Sequence, residues 1–251
     1  MRALALILAL LGAPALAEEV VLGLSRDEVA ITTRFDGSEI LIFGAVKRDG
    51  PIPEGSELDV VITLAGPSKP VVVRRKDRRF GIWVNTDAVE VDAAPSFYAV
   101  AASGTLSEVL KEVEDLRHKI STERAIRSVG APETILDSAS FTEALIRIRE
   151  ANGLYKTLED HVAIDQQTLF RTSVAMPANL TEGEYAIRIF LLRDGNVVSQ
   201  GASTIDVRKV GLERWLFGMS RQQPLLYGLM SLAIAIAAGW GASAVFRYIR
   251  S

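Results

Sequence analysis

The chain has 251 residues, of which 24% are charged and 49% hydrophobic, and its formal net charge is −3. This composition is typical of a folded chain, so we expect that disorder does not dominate. The small negative charge provides no field that would gather nucleic acid, so we expect no nucleic-acid partner. The sequence has no cysteine, which excludes disulfides and thiolate chemistry. Stability must therefore come from a buried core.

The N-terminus has the pattern of a secretory signal peptide. Arg2 precedes an unbroken apolar run, residues 3–11, which is too short for a bilayer that needs ~20 residues. Ala15 and Ala17 then form a small-x-small cleavage site. The pattern predicts a signal peptide over residues 1–17 and export of residues 18–208 to the periplasm. A buried N-terminal helix is the alternative.

The C-terminal region predicts a membrane anchor. Residues 224–246 contain no charged side chain, and this length is sufficient to cross a hydrocarbon core of about 30 Å. Pro224 suits the first turn of a helix, and Tyr227 suits a membrane interface. We expect a single-pass protein of a bacterial inner membrane, with the lipid bilayer around this helix and a cytoplasmic tail, residues 247–251. A buried helix of a soluble protein is the alternative.

A short amphipathic helix is predicted over residues 209–223. One face is apolar at helical spacing and consists of Leu212, Trp215, Leu216 and Met219. With Arg214 and Arg221 beside it, this helix suits the outer membrane boundary, with Trp215 as anchor. A linker helix packed on the exported domain is an equal alternative.

Alternating apolar residues predict strands in the first part of the exported body. The predicted strands are residues 20–24, 28–33, 39–46, 58–64, 71–75, 80–84 and 96–101. Asp36-Gly37 predicts a hairpin between the second and third of them. A charged turn separates residues 71–75 from residues 80–84.

Helical periodicity replaces this alternation over residues 105–153. Thr105 with Glu108, and Ser140 with Glu143, have the spacing of capping boxes, and Gly153 supplies a stop. Three helices are expected here, the second over residues 122–129. Strands then resume at residues 169–175, 184–192 and 197–207.

The pattern as a whole predicts a mainly β fold with an α insertion. Asp194-Gly195 predicts the turn of the final hairpin, and Gly183-Glu184-Tyr185 resembles the tyrosine corner of immunoglobulin-like sandwiches. We therefore expect an immunoglobulin-like β-sandwich with a helical insertion, plus a single C-terminal transmembrane helix. The cysteine pair of that family is missing, and Trp83 is an uncertain match to its core tryptophan. Two small domains are the alternative.

A basic cluster is the strongest candidate for binding an anion or an acidic partner. It consists of Arg74, Arg75, Lys76, Arg78 and Arg79. A solvated hairpin tip explains the same residues. His118, near acidic residues, and His161, near Asp160 and Asp165, suit surface positions better than a metal or acid–base site. No catalytic motif is present, so we expect no enzyme activity, no cofactor and no metal.

The predicted membrane helix carries small residues at every fourth position. They are Ser231, Ala235, Gly239 and Ser243. Such a stripe allows another helix to approach closely, although alanine-rich spans also produce stripes by chance.

The chain resembles a family of exported alphaproteobacterial transmembrane proteins of unknown function. The resemblance is carried by Ile42-Phe43-Gly44-Ala45, Gly81-Ile82-Trp83-Val84-Asn85, Pro95-Ser96-Phe97-Tyr98-Ala99 and Pro224-Leu225-Leu226-Tyr227-Gly228. It implies no activity, but it does imply a partner, a permease of the sulfite-exporter type.

Three functions follow as hypotheses. The first is an accessory or interaction subunit of a polytopic inner-membrane partner such as a transporter. The second is a periplasmic anion-binding or sensing module, which the five-residue tail weakens because it cannot house a cytoplasmic output. The third, a carboxylate hydrolase, has no positive support in the residues.

Overall fold

A computed structural model describes residues 18–25, 28–31, 37–48, 50–52, 55–129, 135, 137–209 and 212–250. In this part of the chain the strands are β1 Glu18–Leu24, β2 Glu28–Ile31, β3 Ser38–Arg48, β4 Leu58–Ala65, β5 Ser68–Arg79, β6 Ile82–Pro95, β7 Tyr98–Ala102, β8 Tyr155–Leu158, β9 Ala163–Asp165, β10 Leu169–Met176, β11 Gly183–Arg193 and β12 Asn196–Lys209. The helices are α1 Leu106–Val109, α2 Glu112–His118, α3 Thr122–Ala125, α4 Ser138–Ala151, α5 Leu212–Gln222 and α6 Pro224–Arg250. The fold is mainly β, as predicted, and the predicted signal peptide lies outside the described residues.

The chain divides into two compact units. Helices α1 to α4 belong to the unit that includes Asp36–Val207, and α5 and α6 belong to the unit that includes Arg208–Ser251. Within the second unit, α5 and α6 contact each other. The backbone of α5 confirms a helix before the apolar segment. The side chain of Trp215 is not among the side chains that the structure describes.

Three sheets organise the described strands. A four-stranded sheet has the order β1-β3-β10-β9, and a six-stranded sheet has the order β2-β12-β11-β4-β7-β8. Antiparallel pairing joins β1-β3, β3-β10, β10-β9, β12-β11, β11-β4 and β4-β7, whereas β7 and β8 run parallel. The third sheet is the long hairpin β5-β6.

The two larger sheets pack against each other and form the core. On the two central strands of the four-stranded sheet alternate residues are buried, for example Ile40 and Ile42 on β3 and Val174 on β10. The facing side of β11 contributes Ile187 and Ile189, both fully buried. This burial of apolar surface is the main favourable term for the unit.

The opposite face of the six-stranded sheet is covered by the helical region. Tyr98 donates its hydroxyl to the carbonyl of Ile120 at 2.7 Å, and the His118 ring lies 5.5 Å from that of Phe190. Because both faces are covered, β4 is buried at Val61 and Thr63 as well as at Val60, Ile62 and Leu64 on the other face. The predicted strand is confirmed, but its alternation does not indicate that the second face is buried as well.

The hairpin predicted at Asp36-Gly37 is also wrong. Strands β2 and β3 belong to different sheets, and β3 pairs instead with β1 and β10. Gly37 has φ +120, and a Cβ there would lie 2.9 Å from the carbonyl oxygen of Met176. The glycine therefore permits a close approach to β10 rather than a two-residue turn.

The final hairpin is confirmed. Strands β11 and β12 pair antiparallel up to Arg193 and Asn196, which leaves Asp194 and Gly195 as the loop. Both loop residues have positive φ, +50 and +75, as a type I′ turn requires.

The helical region begins directly after Thr105 and ends shortly before Gly153, as predicted, but its caps and inner helix bounds differ from the prediction. The Thr105 side chain makes no capping hydrogen bond, and the amide of Leu106 donates instead to Oε1 of Glu159 at 3.1 Å. Extended backbone at Leu110 separates α1 from α2, and α3 ends at Ala125. Helix α4 begins three residues earlier than a cap at Ser140 would allow, and Gly153 follows it with φ +67.

Candidate functional site

The basic cluster lies along strand β5, not in a turn. Strand β5 continues to Arg79, and the loop that follows is Phe80-Gly81. Directly opposed residues of an antiparallel pair share a face, and neighbouring residues of one strand alternate between faces. The five basic side chains are therefore divided between two faces of the hairpin.

Arg75 faces the body of the protein and attaches the hairpin to α4. Its Nη2 donates to Oδ2 of Asp137 at 2.5 Å and to Oγ of Ser140 at 2.8 Å, and its guanidinium lies 4.6 Å from the centre of the Phe141 ring. The hydrogen bond from Arg75 lowers the pKa of Asp137, and the same bond raises the pKa of Arg75. Arg75 is a structural residue rather than a free anion site.

The other four cations differ in their partners. Arg79 lies on the same face as Asp77, with Nε 3.6 Å from Oδ2 of that carboxylate. Arg74, Lys76 and Arg78 lie on the outward face, where Arg78 is directly opposite Trp83. In the part of the chain that the structure describes, no carboxylate lies within ion-pair distance of these three outward cations.

The tip of the hairpin exposes three large apolar side chains. Phe80 is 105% exposed, Ile82 65% and Trp83 69%, relative to a free side chain. Trp83 is therefore not the core tryptophan of a sandwich, and its tentative match to that position is wrong. An apolar tip thus adjoins the outward basic face, Arg74, Lys76 and Arg78, which we name the basic stripe.

Phe80 is also in an unfavourable backbone conformation. It has φ +52, and Gly81 after it has φ +85, so the two form a turn of type I′. Such turns favour asparagine or glycine at the first position, because other L-residues lose ~1–2 kcal/mol in the left-handed region. No packing compensates at Phe80, since its side chain contacts solvent alone.

A shallow recess of about 560 Å³ lies on the hairpin, where the register shifts between Arg75 and Lys76. Arg75 and Arg79 line it, but so do Asp77 and Asp87. These carboxylates counteract the cations, so the recess is a poor site for a small anion.

His161 lies at the surface, as the sequence predicts, whereas His118 is half-buried with its ring beside that of Phe190. Nε2 of His118 is 3.4 Å from Oε2 of Glu114, and His161 is exposed. Among the described residues, no three histidine or carboxylate side chains are grouped as metal ligands would be.

Helix α6 contains the predicted apolar span. Within the described residues it is the one helix long and apolar enough to cross a bilayer, over Pro224–Ser243, and none of that segment is buried against protein. Of the predicted small-residue stripe, Ser231 donates its hydroxyl to the carbonyl of Tyr227 at 2.9 Å, and Gly239 has open space beside it. Ala235 and Ser243 are exposed as well.

Comparison with known proteins agrees with this anchor. The family model for "Putative transmembrane protein (Alph_Pro_TM)" matches residues 19–248. The chain belongs to this family. This match confirms the resemblance of the sequence to an alphaproteobacterial transmembrane family of unknown function.

Other comparisons add little. No curated protein matches the chain. Among solved structures, the sporulation control protein Spo0M of Bacillus subtilis is 11% identical, with a TM-score of 0.30. The match covers 82% of this chain and 56% of that protein.

Sequence reasoning found the basic cluster but missed the apolar tip. The dipeptide Phe80-Gly81 lacks the usual asparagine or aspartate of a hairpin turn, so the turn was placed within the charged residues. The available signal for the turn was Gly81 itself. Ile82 and Trp83 follow it at a point where the strand pairing leaves neither face of the hairpin covered.

Proposed function

We propose that this protein is an accessory or interaction subunit held in the bacterial inner membrane by α6, which packs against a polytopic membrane partner such as a transporter. The observation that carries the proposal is the apolar segment Pro224–Ser243, which no other part of the described chain covers. Lipid solvates apolar side chains, and small side chains let a second helix approach closely. The stripe formed by Ser231, Ala235, Gly239 and Ser243 supplies that close approach.

Bulky substitutions on the stripe test this role. In Ala235→Leu plus Gly239→Leu the partner helix is displaced, whereas Ala233→Leu plus Ala237→Leu places similar bulk about 200° around the helix. The full chain is purified from native membranes in mild detergent, and co-purifying polytopic membrane proteins are quantified. We expect loss of the partner from the stripe variant and retention in the control. Equal recovery from both variants would contradict packing through the stripe.

Export of the first unit is part of the same proposal. The signal pattern of residues 1–17 and the two arginines of the tail support a periplasmic body and a cytoplasmic C-terminus. N-terminal sequencing of the mature protein should begin at Glu18. Protease added to spheroplasts should digest the body but leave a C-terminal tag intact. A mature chain that still begins with residues 1–17 would contradict cleavage, and a body that resists the added protease would contradict this orientation.

We further propose that the first unit is an immunoglobulin-like sandwich. If β1, β3 and β4 are strands A, B and C, and β9 to β12 are D to G, the sheet orders contain A-B-E-D and C-F-G. Tyr185, near the start of β11, donates its hydroxyl to the carbonyl of Thr181 at 2.8 Å, which is the bond of a tyrosine corner. An experimental structure with a different strand order would contradict this fold.

Anion binding is the second candidate function, because no carboxylate of the described residues pairs with the basic stripe. Calorimetry of the full chain in detergent against sulfate, sulfite and sulfonates tests it. Absence of heat at millimolar ligand would exclude this candidate.

A further inference from the structure

The tip of the β5-β6 hairpin combines two features that are unfavourable for a surface facing only water. Phe80, Ile82 and Trp83 expose apolar area at the loop, and the outward cations of the basic stripe repel one another. Isolated exposed apolar residues are ordinary on a protein surface. Three of them within four positions form an apolar tip, in which Trp83, opposite Arg78, lies on the face of the basic stripe and Ile82, opposite Arg79, lies on the other face.

The loop conformation adds an independent observation. A type I′ turn favours asparagine at the position where Phe80 has φ +52, and the exposed Phe80 gains no packing in exchange. Backbone strain of this kind concentrates at functional sites. The aromatic ring at the apex therefore has a use outside the isolated chain.

We propose that this hairpin tip docks on the surface of a bilayer that contains anionic lipid. Phe80, Ile82 and Trp83 enter the interfacial layer, where aromatic rings are favoured. Arg74, Lys76 and Arg78 contact the lipid phosphates, which attract basic side chains near the membrane surface. Docking of the hairpin is independent of the partner proposed for α6.

Several features favour a membrane as the occupant. The three cations alternate with inward residues along β5, so they form a row about 7 Å apart rather than a closed pocket around one anion. The nearby recess contains Asp77 and Asp87, which disfavour a small soluble anion. The chain also carries its own apolar helix, α6, so every anchored copy is held at a bilayer.

The absence of cysteine gives a direct test on the full chain. Ile82→Cys provides a single site for an environment-sensitive fluorophore at the tip, and Val72→Cys provides one at an exposed apolar position nearer the base of the same hairpin. Each labelled protein is reconstituted in nanodiscs with and without phosphatidylglycerol, and quenching by spin-labelled lipid is measured. Sedimentation with the discs verifies insertion separately.

Two variants and their control separate the contributions. Lys76→Glu reverses a charge of the basic stripe, and Lys69→Glu reverses another exposed lysine of β5 far from the tip. Phe80→Asn removes the aromatic ring and suits the turn. In anionic discs we expect strong quenching at position 82 and little at position 72. Lys76→Glu and Phe80→Asn should each reduce the quenching at position 82 by about twofold or more. Lys69→Glu should leave that quenching unchanged.

Three results would overturn the proposal. The first is equal quenching at positions 82 and 72 in anionic discs. The second is competition by sodium phosphate beyond that of sodium chloride at the same ionic strength, which would indicate a soluble-anion site. The third is shielding of position 82 in native membranes but not in lipid-only discs, which would indicate a protein partner.

Discussion

At the start of β1, the Glu18 carboxylate lies between two guanidinium groups from different sheets. Its Oε1 accepts from Nε of Arg48 at 2.7 Å and from Nη2 of Arg193 at 2.9 Å. The side chains are 7% exposed for Glu18 and 9% for each arginine. Arg193 reaches from β11 to β1, so this group joins the two large sheets of the core.

Removal of Glu18 tests this ionic contact. Glu18→Ala leaves two buried cations without their carboxylate, and we expect the free energy of unfolding to fall by about 3–5 kcal/mol. Glu19→Ala is the matched control, because the Glu19–Lys47 pair is 68% and 63% exposed and should contribute at most ~1 kcal/mol. Chemical denaturation of the full chain in detergent measures both. Similar losses for the two variants would contradict a buried ionic contact.

The same group predicts a pH dependence. Burial acts to raise the pKa of Glu18, but hydrogen bonds and charge from Arg193 and Arg48 outweigh it, and the pKa is lowered from 4.5. The folded state therefore binds fewer protons than the unfolded state below that value. Stability should be present above pH 4.5 and be lost as pH falls through the lowered pKa.

Denaturation midpoints between pH 3 and 6, about the range of carboxyl titration, measure this effect. Glu18→Gln should be less stable than wild type at neutral pH, and the difference should shrink on acidification. A constant difference across this range would show that the Glu18 charge contributes nothing to the pH dependence.

A substitution at Phe80 should raise the free energy of unfolding rather than lower it. Phe80→Asn removes an exposed ring from a left-handed position that asparagine tolerates, so the free energy of unfolding should rise by ~1 kcal/mol. Thermal melting of the detergent-solubilised chain measures it. Phe80→Ala, which keeps the strain, should not give this gain; an equal gain would mean that backbone strain is not the cause.

At the scale of elements, Arg188 of the six-stranded sheet binds the C-terminus of α2. Nη1 of Arg188 donates to the carbonyl of His118 at 2.7 Å, and Nη2 donates to that of Lys119 at 2.9 Å. Lys119 has φ +52 and ends the helix, so both carbonyls are at its C-terminus, where a cation is favourable.

Arg188→Leu should lower the free energy of unfolding by about 1.5–3 kcal/mol, because charged hydrogen bonds at the helix end are lost. Arg147→Leu, at an exposed position of α4, should change it by less than ~0.5 kcal/mol. Hydrogen exchange would localise the effect, with faster exchange at the end of α2 in Arg188→Leu alone. Unchanged exchange there would contradict the anchoring role.

At the scale of the whole molecule, the strands with one buried face were predictable from alternation. The apolar helix and the turn at Asp194-Gly195 were predictable as well, because a long uncharged run and a two-residue loop each have a local signature. The partner of a strand has no such signature. Strand β3 pairs with β1 and β10, and the distance along the chain to β10 cannot be read from the residues around Gly37.

Of the candidate site, the sequence predicts the charged residues but not their arrangement. Five cations in six positions predicted a charged surface, but strand alternation divides them, and Arg75 is used by α4. Which cations of the cluster lack a carboxylate partner depends on Asp137 and Asp77, whose positions are set by the fold. The apolar tip required the turn at Phe80-Gly81, which departs from the usual residue preference.

The account depends most directly on lipid as the solvent of α6. Membranes containing the full-length protein are washed at alkaline pH without detergent, and the pellet and supernatant are analysed for the chain. We predict that the protein stays in the pellet and is released by detergent alone, because the uncovered segment Pro224–Ser243 is apolar and long enough to span the bilayer. Recovery of the full-length chain in the alkaline supernatant would contradict the membrane anchor.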